Sequence, residues 1–343
     1  MLETKLAVVT NLSLKRSTPD VNALDKLTVL VADDLKACNA LIIDRMQSPV
    51  ELIPQLAGYI IAAGGKRLRP VLTLASSRLC GYEGDRHQAL AACVEFIHTA
   101  TLLHDDVVDD STLRRGRATA NEAFGNPASV LVGDFLYSRA FQMMVEVGDM
   151  RIMQTLAEAT NVIAEGEVLQ LMNMHDADLA VEDYLRVIRY KTAKLFEASA
   201  RLGAVIADAP REIEDACANF GRSLGTAFQL VDDLLDYEGD TAALGKNVGD
   251  DLREGKPTLP LLYAMSHGTP EEAALIRHAI EQGEVERLSE IVQIVRRTGA
   301  IDATREAARR EADHAREQLA LLPDSETKQL LLELCVRSVE RSS

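Results

Sequence analysis

Residues 95–117 read EFIHTATLLHDDVVDDSTLRRGR and residues 228–237 read FQLVDDLLDY. Each stretch sets three aspartates at the end of an apolar run with helical spacing: Asp105, Asp106 and Asp109 in the first, Asp232, Asp233 and Asp236 in the second. On a helix Asp105 and Asp109 share a face one turn apart, and Asp106 lies three residues from Asp109. Like charges at that spacing weaken a helix, and charges within an apolar stripe are costly unless they are paired or bound to metal. A solvated helix end explains one such cluster. It does not explain two, each embedded in leucine, valine and phenylalanine. The fold must therefore bring two acidic helix ends to a counter-charge. Mg2+ suits the task, because it takes oxygen ligands and joins one or two carboxylates to a phosphate. Arg114 and Arg115, just beyond the first cluster, are planar donors matched to phosphate oxygens. Acid, metal and arginine together point to a diphosphate site.

Composition agrees. Of 343 residues 47% are hydrophobic, which excludes general disorder, while aromatics make up 4%, tryptophan is absent and Ala, Leu and Glu abound, as in helical proteins. A net charge of -16 argues against nucleic acid as a partner and makes the basic runs at 66–69 and 114–117 conspicuous. The five cysteines are scattered without CxxC pairs, which fits free thiols in a reducing compartment rather than disulfides or zinc. No secretory pattern opens the chain, and its longest charge-free stretch, 52–65, is too short to span a bilayer. A cytoplasmic location is expected.

In order, residues 1–23 read as an irregular lead-in and 24–343 as a single all-α domain. Helices are predicted near 24–46, 56–63, 71–79, 86–110, 128–147, 151–172, 181–207, 212–237, 258–267, 270–282, 285–297, 300–320 and 325–341, separated by glycine and proline breakers. Nothing alternates like a strand bounded by hairpin turns, and no 20–50-residue repeat recurs.

Four further features join the two acid clusters. GGKRLRP at 64–70 gives flexible backbone three cations, Lys66, Arg67 and Arg69; His98 lies two turns before Asp105; Lys191-Thr192 interrupts an apolar helix; and GKNVGDDLREGKPTLP at 245–260 is a Gly-rich loop carrying Lys246 and Lys256. A lone histidine is often a core residue, a lone lysine can snorkel, and such a loop can be mere connection. Taken together with GDFLYSRAF at 133–141, however, the series along residues 64–260 resembles the trans-isoprenyl diphosphate synthases, the head-to-tail prenyltransferases, in their long-chain polyprenyl form.

The resemblance implies an all-α isoprenoid-synthase helical bundle around a deep central cavity, a homodimer, and about two to three Mg2+ between the acid-bearing helices. It implies that Asp105, Asp106 and Asp109 hold metal on one side of an allylic diphosphate such as farnesyl diphosphate, and Asp232, Asp233 and Asp236 on the other, with Asp105, Asp109 and Asp232 as direct ligands. Arg114, Lys191, Thr192, Gln229, Lys246 and Lys256 would contact that allylic diphosphate, Lys191 catalytically. Lys66, Arg69, His98 and Arg115 would hold isopentenyl diphosphate. Neutralising the leaving diphosphate lets the allylic group ionise, the isopentenyl double bond attacks, and the departing diphosphate takes the proton. One turn before Asp105 stand Ala100 and Thr101, small residues where short-chain members carry aromatics. That sets an expected product of about forty to fifty carbons, eight isoprene units before nine, with Phe141, Met143 or Met144 as the floor. A quinone side chain, that of ubiquinone, is the expected destination, with transient membrane contact on release.

Three rivals fit less well. An HD-type phosphohydrolase needs a second histidine set that seven histidines do not supply. A terpene cyclase pairs its acid motif with an Asn/Ser/Glu motif, and a regulatory subunit would carry degenerate motifs.

Overall fold

The computed structural model describes residues 22–62, 64–114, 116–238 and 249–341. Arg115, Lys246 and residues 1–21 of the expected lead-in lie outside the described residues. Local signals set most boundaries. The Asn22 side chain accepts from the Asp25 N–H at 3.0 Å and opens α1, Ala23–Leu30. After α2 (Ala32–Arg45), α3 (Leu52–Ala62), α4 (Leu68–Leu79) and α5 (Arg86–Val108) comes a two-residue antiparallel ribbon, β1 (Leu113–Arg114) with β2 (Arg117–Ala118). Then follow α6 (Ala120–Phe124), α7 (Asn126–Val147, with proline in its first turn) and α8 (Met150–Asn173). A long run is built from α9 (Val181–Ile188), a π-turn (Arg189–Ala193) and α10 (Lys194–Ile206). The chain finishes with α11 (Arg211–Glu238), α12 (Asp250–Arg253), α13 (Leu259–His267), α14 (Pro270–Gln282), α15 (Leu288–Arg297), α16 (Ala300–Leu319) and α17 (Glu326–Glu340). A capping box between Thr269 and Glu272 fixes the start of α14.

Three expectations need correction. The helix predicted over 24–46 breaks at Val31, whose φ of -106° and ψ of 21° leave the helical region; the buried stripe Leu27, Val31, Leu35, Cys38 and Ile42 nevertheless runs straight through. The helix predicted over 181–207 contains the π-turn. And the ribbon at 113–118 was too short for an alternation pattern to register.

α5 is buried almost all round, as a helix at the centre of a bundle must be, and α2, α4, α7 and α10 pack on it. α11 packs on α10, α16 and α17. The main core joins these helices, and a second cluster forms from Tyr237, Leu252 and the inner faces of α13, α14 and α15. Met265 and Ile301 border both clusters.

Candidate active site

Both acid motifs fall in the closing turns of their helices. Asp105 and Asp106 sit in the last turn of α5 and Asp109 is its C-cap, while Asp232, Asp233 and Asp236 lie in the last two turns of α11. A helix C-terminus already carries about half a negative charge, so these acids stand where the backbone favours cations. The two ends open into one cavity of about 470 Å³. Asp105 and Asp109 line it from α5, Asp232 and Asp233 from α11, Lys191 and Thr192 from the π-turn, and Lys256 from the segment after α12.

The π-turn is what presents Lys191 and Thr192. Gly166 of α8 permits it: a Cβ there would stand 2.7 Å from the Lys191 backbone nitrogen and 2.8 Å from the Tyr190 Cβ. The next residue on α8, Glu167, accepts a bond from Lys191 Nζ at 2.6 Å, and the same ammonium lies 3.7 Å from Asp105. Lys256 donates to Asp109 at 3.1 Å and pairs with Glu254. Arg114, carried on β1, grips the buried Asp106 through Nε at 2.9 Å and Nη2 at 2.7 Å. The ribbon thus serves to fold Arg114 back onto α5.

The second motif is held differently. Asp233 accepts from the Tyr184 hydroxyl at 2.5 Å and from the Gln229 amide at 2.7 Å, and Gln229 in turn accepts from Thr192 at 2.9 Å. Asp236 receives the backbone N–H groups of Gly249, Asp250 and Asp251 at 3.1, 3.3 and 3.2 Å. Neither Asp106 nor Asp236 lines the cavity. Asp106 is committed to Arg114, and Asp236 to the backbone that starts α12.

Charge in the cavity is out of balance. Among the described residues Glu167, Asp250, Asp251 and Glu254 join the four motif acids on the wall, eight carboxylates against Arg69, Arg114, Lys191 and Lys256. Burial pushes Asp105 up, with Lys191 pulling it back and Asp109 adding to the rise. Burial, then Asp251, pushes Asp233 up to about 8. Glu167 rises to about 7 from burial and from Asp105, and Asp236 to about 7 from burial against its three amide bonds. Burial works against the Lys191 charge, yet Asp105 and Glu167 outweigh it and its pKa is raised. An all-oxygen donor set with surplus negative charge suits a hard divalent cation. Among the described residues no three acids, histidines or cysteines already form a metal cage.

The family model for polyprenyl synthetase matches residues 50–295. The chain belongs to the polyprenyl synthetase family. It is 54% identical over 319 residues to octaprenyl diphosphate synthase of Escherichia coli, covering 93% of this chain and 99% of that one. It is 43% identical to an all-trans-nonaprenyl-diphosphate synthase of Rhodobacter capsulatus, covering 91% and 96%. Its fold superposes with a TM-score of 0.91 on a polyprenyl synthase from Caulobacter crescentus CB15 complexed with calcium and isoprenyl diphosphate, at 49% identity over 94% of this chain and 99% of that one.

The basic segment of this polyprenyl synthetase divides in a way the sequence did not foretell. Arg69 lines the cavity, with Nη1 3.0 Å from His98 Nε2 and its guanidinium 4.5 Å over the Phe196 ring. Burial lowers its pKa to about 10. Arg67, in the left-handed region at φ 48°, is paired with the buried Glu95. Lys66 is exposed and outside the cavity wall. Thr101 lines the cavity, but Ala100 is wholly buried in the main core and does not. At about 100° per residue, four residues before Asp105 is a 40° offset and five is about 140°, so Thr101 shares the Asp105 face and Ala100 does not. Phe141, Met143 and Met144 do not line the cavity either.

Sequence reasoning missed Glu167 and Tyr184. A signal for the first existed: Glu167, Gln170 and Asn173 recur every third residue on α8, and all three line the cavity.

Proposed function

We propose that this polyprenyl synthetase condenses isopentenyl diphosphate, head to tail, onto an allylic diphosphate such as farnesyl diphosphate, giving all-trans octaprenyl diphosphate for a ubiquinone-type side chain. The observation that carries the reading is the convergence of two acidic helix ends, with their lysines and arginines, on one cavity. The names and identities of the relatives support the long-chain product.

Asp105, Asp109 and Asp232 are the acids that would hold Mg2+, which supplies charge neutralisation of the leaving diphosphate. Lys191 and Lys256, each already within 4 Å of one of these acids, are placed to turn to phosphate oxygens as the carboxylates take other partners. Thr192, Gln229 and Arg114 complete the contacts to the allylic diphosphate. Arg69 and His98 form the facing subsite for isopentenyl diphosphate. Leu102, Val187, Ile188 and Phe228 on the wall exclude water from the reacting carbons. Asp106 and Asp233 act through the groups they hold, orienting Arg114 and Gln229.

We read the working form as a homodimer. Leu131 and Val145 on α7 and Val168, Leu171 and Met172 on α8 expose 59–75% of their surface, and this apolar face supports that reading. Among the described residues no helix is long and apolar enough to cross a membrane.

Incubation of the purified protein with farnesyl diphosphate, isopentenyl diphosphate and Mg2+, followed by chromatography, tests the reaction. An eight-unit chain is the expected product. Phosphate release without elongation, a cyclic hydrocarbon, or silence until a second protein is added would each replace the reading by one of its rivals.

A further inference from the structure

The last described residue, Arg341, reaches the site from well beyond the segment 50–295 that the family model matches. It is delivered by a packed helix, since Leu331, Leu334, Cys335 and Val339 of α17 are buried in the main core. Arg305 of α16 fastens that helix end to the site: it donates to the Val339 carbonyl at 3.4 Å and pairs with Glu238 in the last turn of α11. The Arg341 guanidinium lies 3.9 Å over the Phe228 ring, donates to the Phe228 carbonyl at 2.8 Å and stands 3.7 Å from Asp232. Phe228 and Asp232 are one turn apart on α11, so one planar group spans both.

The ring contacts continue inward. Phe228 and Phe196 have ring centroids 5.6 Å apart, and Arg69 lies over the far ring. A row of Arg341, Phe228, Phe196 and Arg69 thus crosses from the second acid motif to the basic segment. The Nε of both arginines is buried with no hydrogen-bond partner among the described residues, and ring faces lie beside both guanidiniums.

We propose that Arg341 is a positioning residue: it locks the Phe228–Asp232 turn of α11 and, through the two rings, steadies Arg69 where an isopentenyl-type diphosphate binds. The inference rests on the function proposed above. A planar guanidinium is required, because an ammonium neither stacks flat nor reaches ring, carbonyl and carboxylate together.

Arg341→Met, Arg341→Lys, Phe228→Leu and the double variant F228L/R341M test it. In Arg341→Met the KM for isopentenyl diphosphate should rise about tenfold with kcat within about threefold, and calorimetric affinity for magnesium pyrophosphate should fall about fivefold. Arg341→Lys should recover less than half of either loss. In the Phe228→Leu background, Arg341→Met should add less than about twofold, because the ring it acts through is gone. An unchanged KM in Arg341→Met, full rescue by lysine, or additive losses in the double variant would overturn the proposal. So would loss of folding in Arg341→Met, which would make the residue a strut of the bundle. A wild-type protein that binds magnesium pyrophosphate but extends no allylic diphosphate would instead sink the proposed reaction, and the calorimetric comparison would still read out Arg341.

Discussion

At the end of α5, Asp105, Asp106 and Asp109 are met by the long cations Lys191, Arg114 and Lys256. At the end of α11, Asp233 and Asp236 are met by a phenol, a carboxamide and three backbone N–H groups. The two motifs have the same spacing, yet among the described residues the first is neutralised by long side chains that can swing and Asp233 and Asp236 of the second by dipoles, three of them fixed in the backbone. A lysine gives up one carboxylate for a phosphate by rotating about its stem, whereas a backbone amide moves only if its helix does. The α5 end is therefore the exchangeable half of the site, and the α11 end the preorganised half. Asp232 of the second motif stands 3.7 Å from the Arg341 guanidinium. A carboxylate pattern alone does not assign roles; the kind of partner does.

The largest expected effect comes from emptying the exchangeable half. Asp105→Asn should lower turnover by about a thousandfold or more with folding intact, since it removes a carboxylate that would hold the Mg2+ needed to neutralise the leaving group. Asp236→Asn should cost only about tenfold, because its target is the α12 backbone. Equal losses, read as kcat beside circular dichroism, would erase the distinction between the halves.

Next is Lys191, which joins Glu167 of α8 to Asp105 of α5. Lys191→Met should reduce kcat about a hundredfold and Glu167→Gln about tenfold, the second by leaving the ammonium drawn to Asp105 alone. A Glu167→Gln enzyme as slow as Lys191→Met would mean that Glu167 touches substrate rather than aiming Lys191.

How much of this could be read in advance follows the range of each interaction. The apolar runs of α5 and α11 and the acids at their ends are local patterns, and they led to the helices, the family resemblance and the shared cavity. The π-turn was illegible because one extra residue in a helix shifts its period too little to notice, although it decides where Lys191 points. The caging of Asp236 depends on a backbone thirteen to fifteen residues away, and Arg341 meets Asp232 across more than a hundred, where no spacing rule reaches. That Lys66 stands off the cavity wall has another cause. Three cations in four residues cannot all face one cavity, and the left-handed turn at Arg67 sends Arg69 inward, Arg67 to Glu95 and Lys66 to solvent.

The preorganised half also has a stability signature. Asp236→Ala leaves three N–H groups at the start of α12 without their acceptor, so the protein should lose about 1–2 kcal/mol in chemical denaturation. Amide exchange at 249–251 should accelerate alongside. Asp109→Ala, facing a mobile lysine, should lose less than Asp236→Ala. The reverse order would place the rigid half at α5.

The smallest effect on rate, and the most telling on product, concerns the turn beneath each motif. One turn before Asp232 stands Phe228, fixed between Phe196 and Arg341; one turn before Asp105 stands Thr101, with Ala100 beside it. The turn beneath the second motif thus carries a large, held side chain and the turn beneath the first carries small ones, so a tail lying beside α5 would pass Thr101 and Ala100. Ala100 is packed in the core and does not line the cavity. A tyrosine at 100 has no room in that core and would crowd the neighbouring cavity side of α5. Ala100→Tyr should then change turnover by less than about threefold while shortening the product to about fifteen to twenty carbons, as chromatography of the hydrolysed alcohols would reveal. Product of unchanged length would take α5 out of the tail's path and leave the α8 wall, with Gln170 and Asn173, as the other side of the cavity to examine.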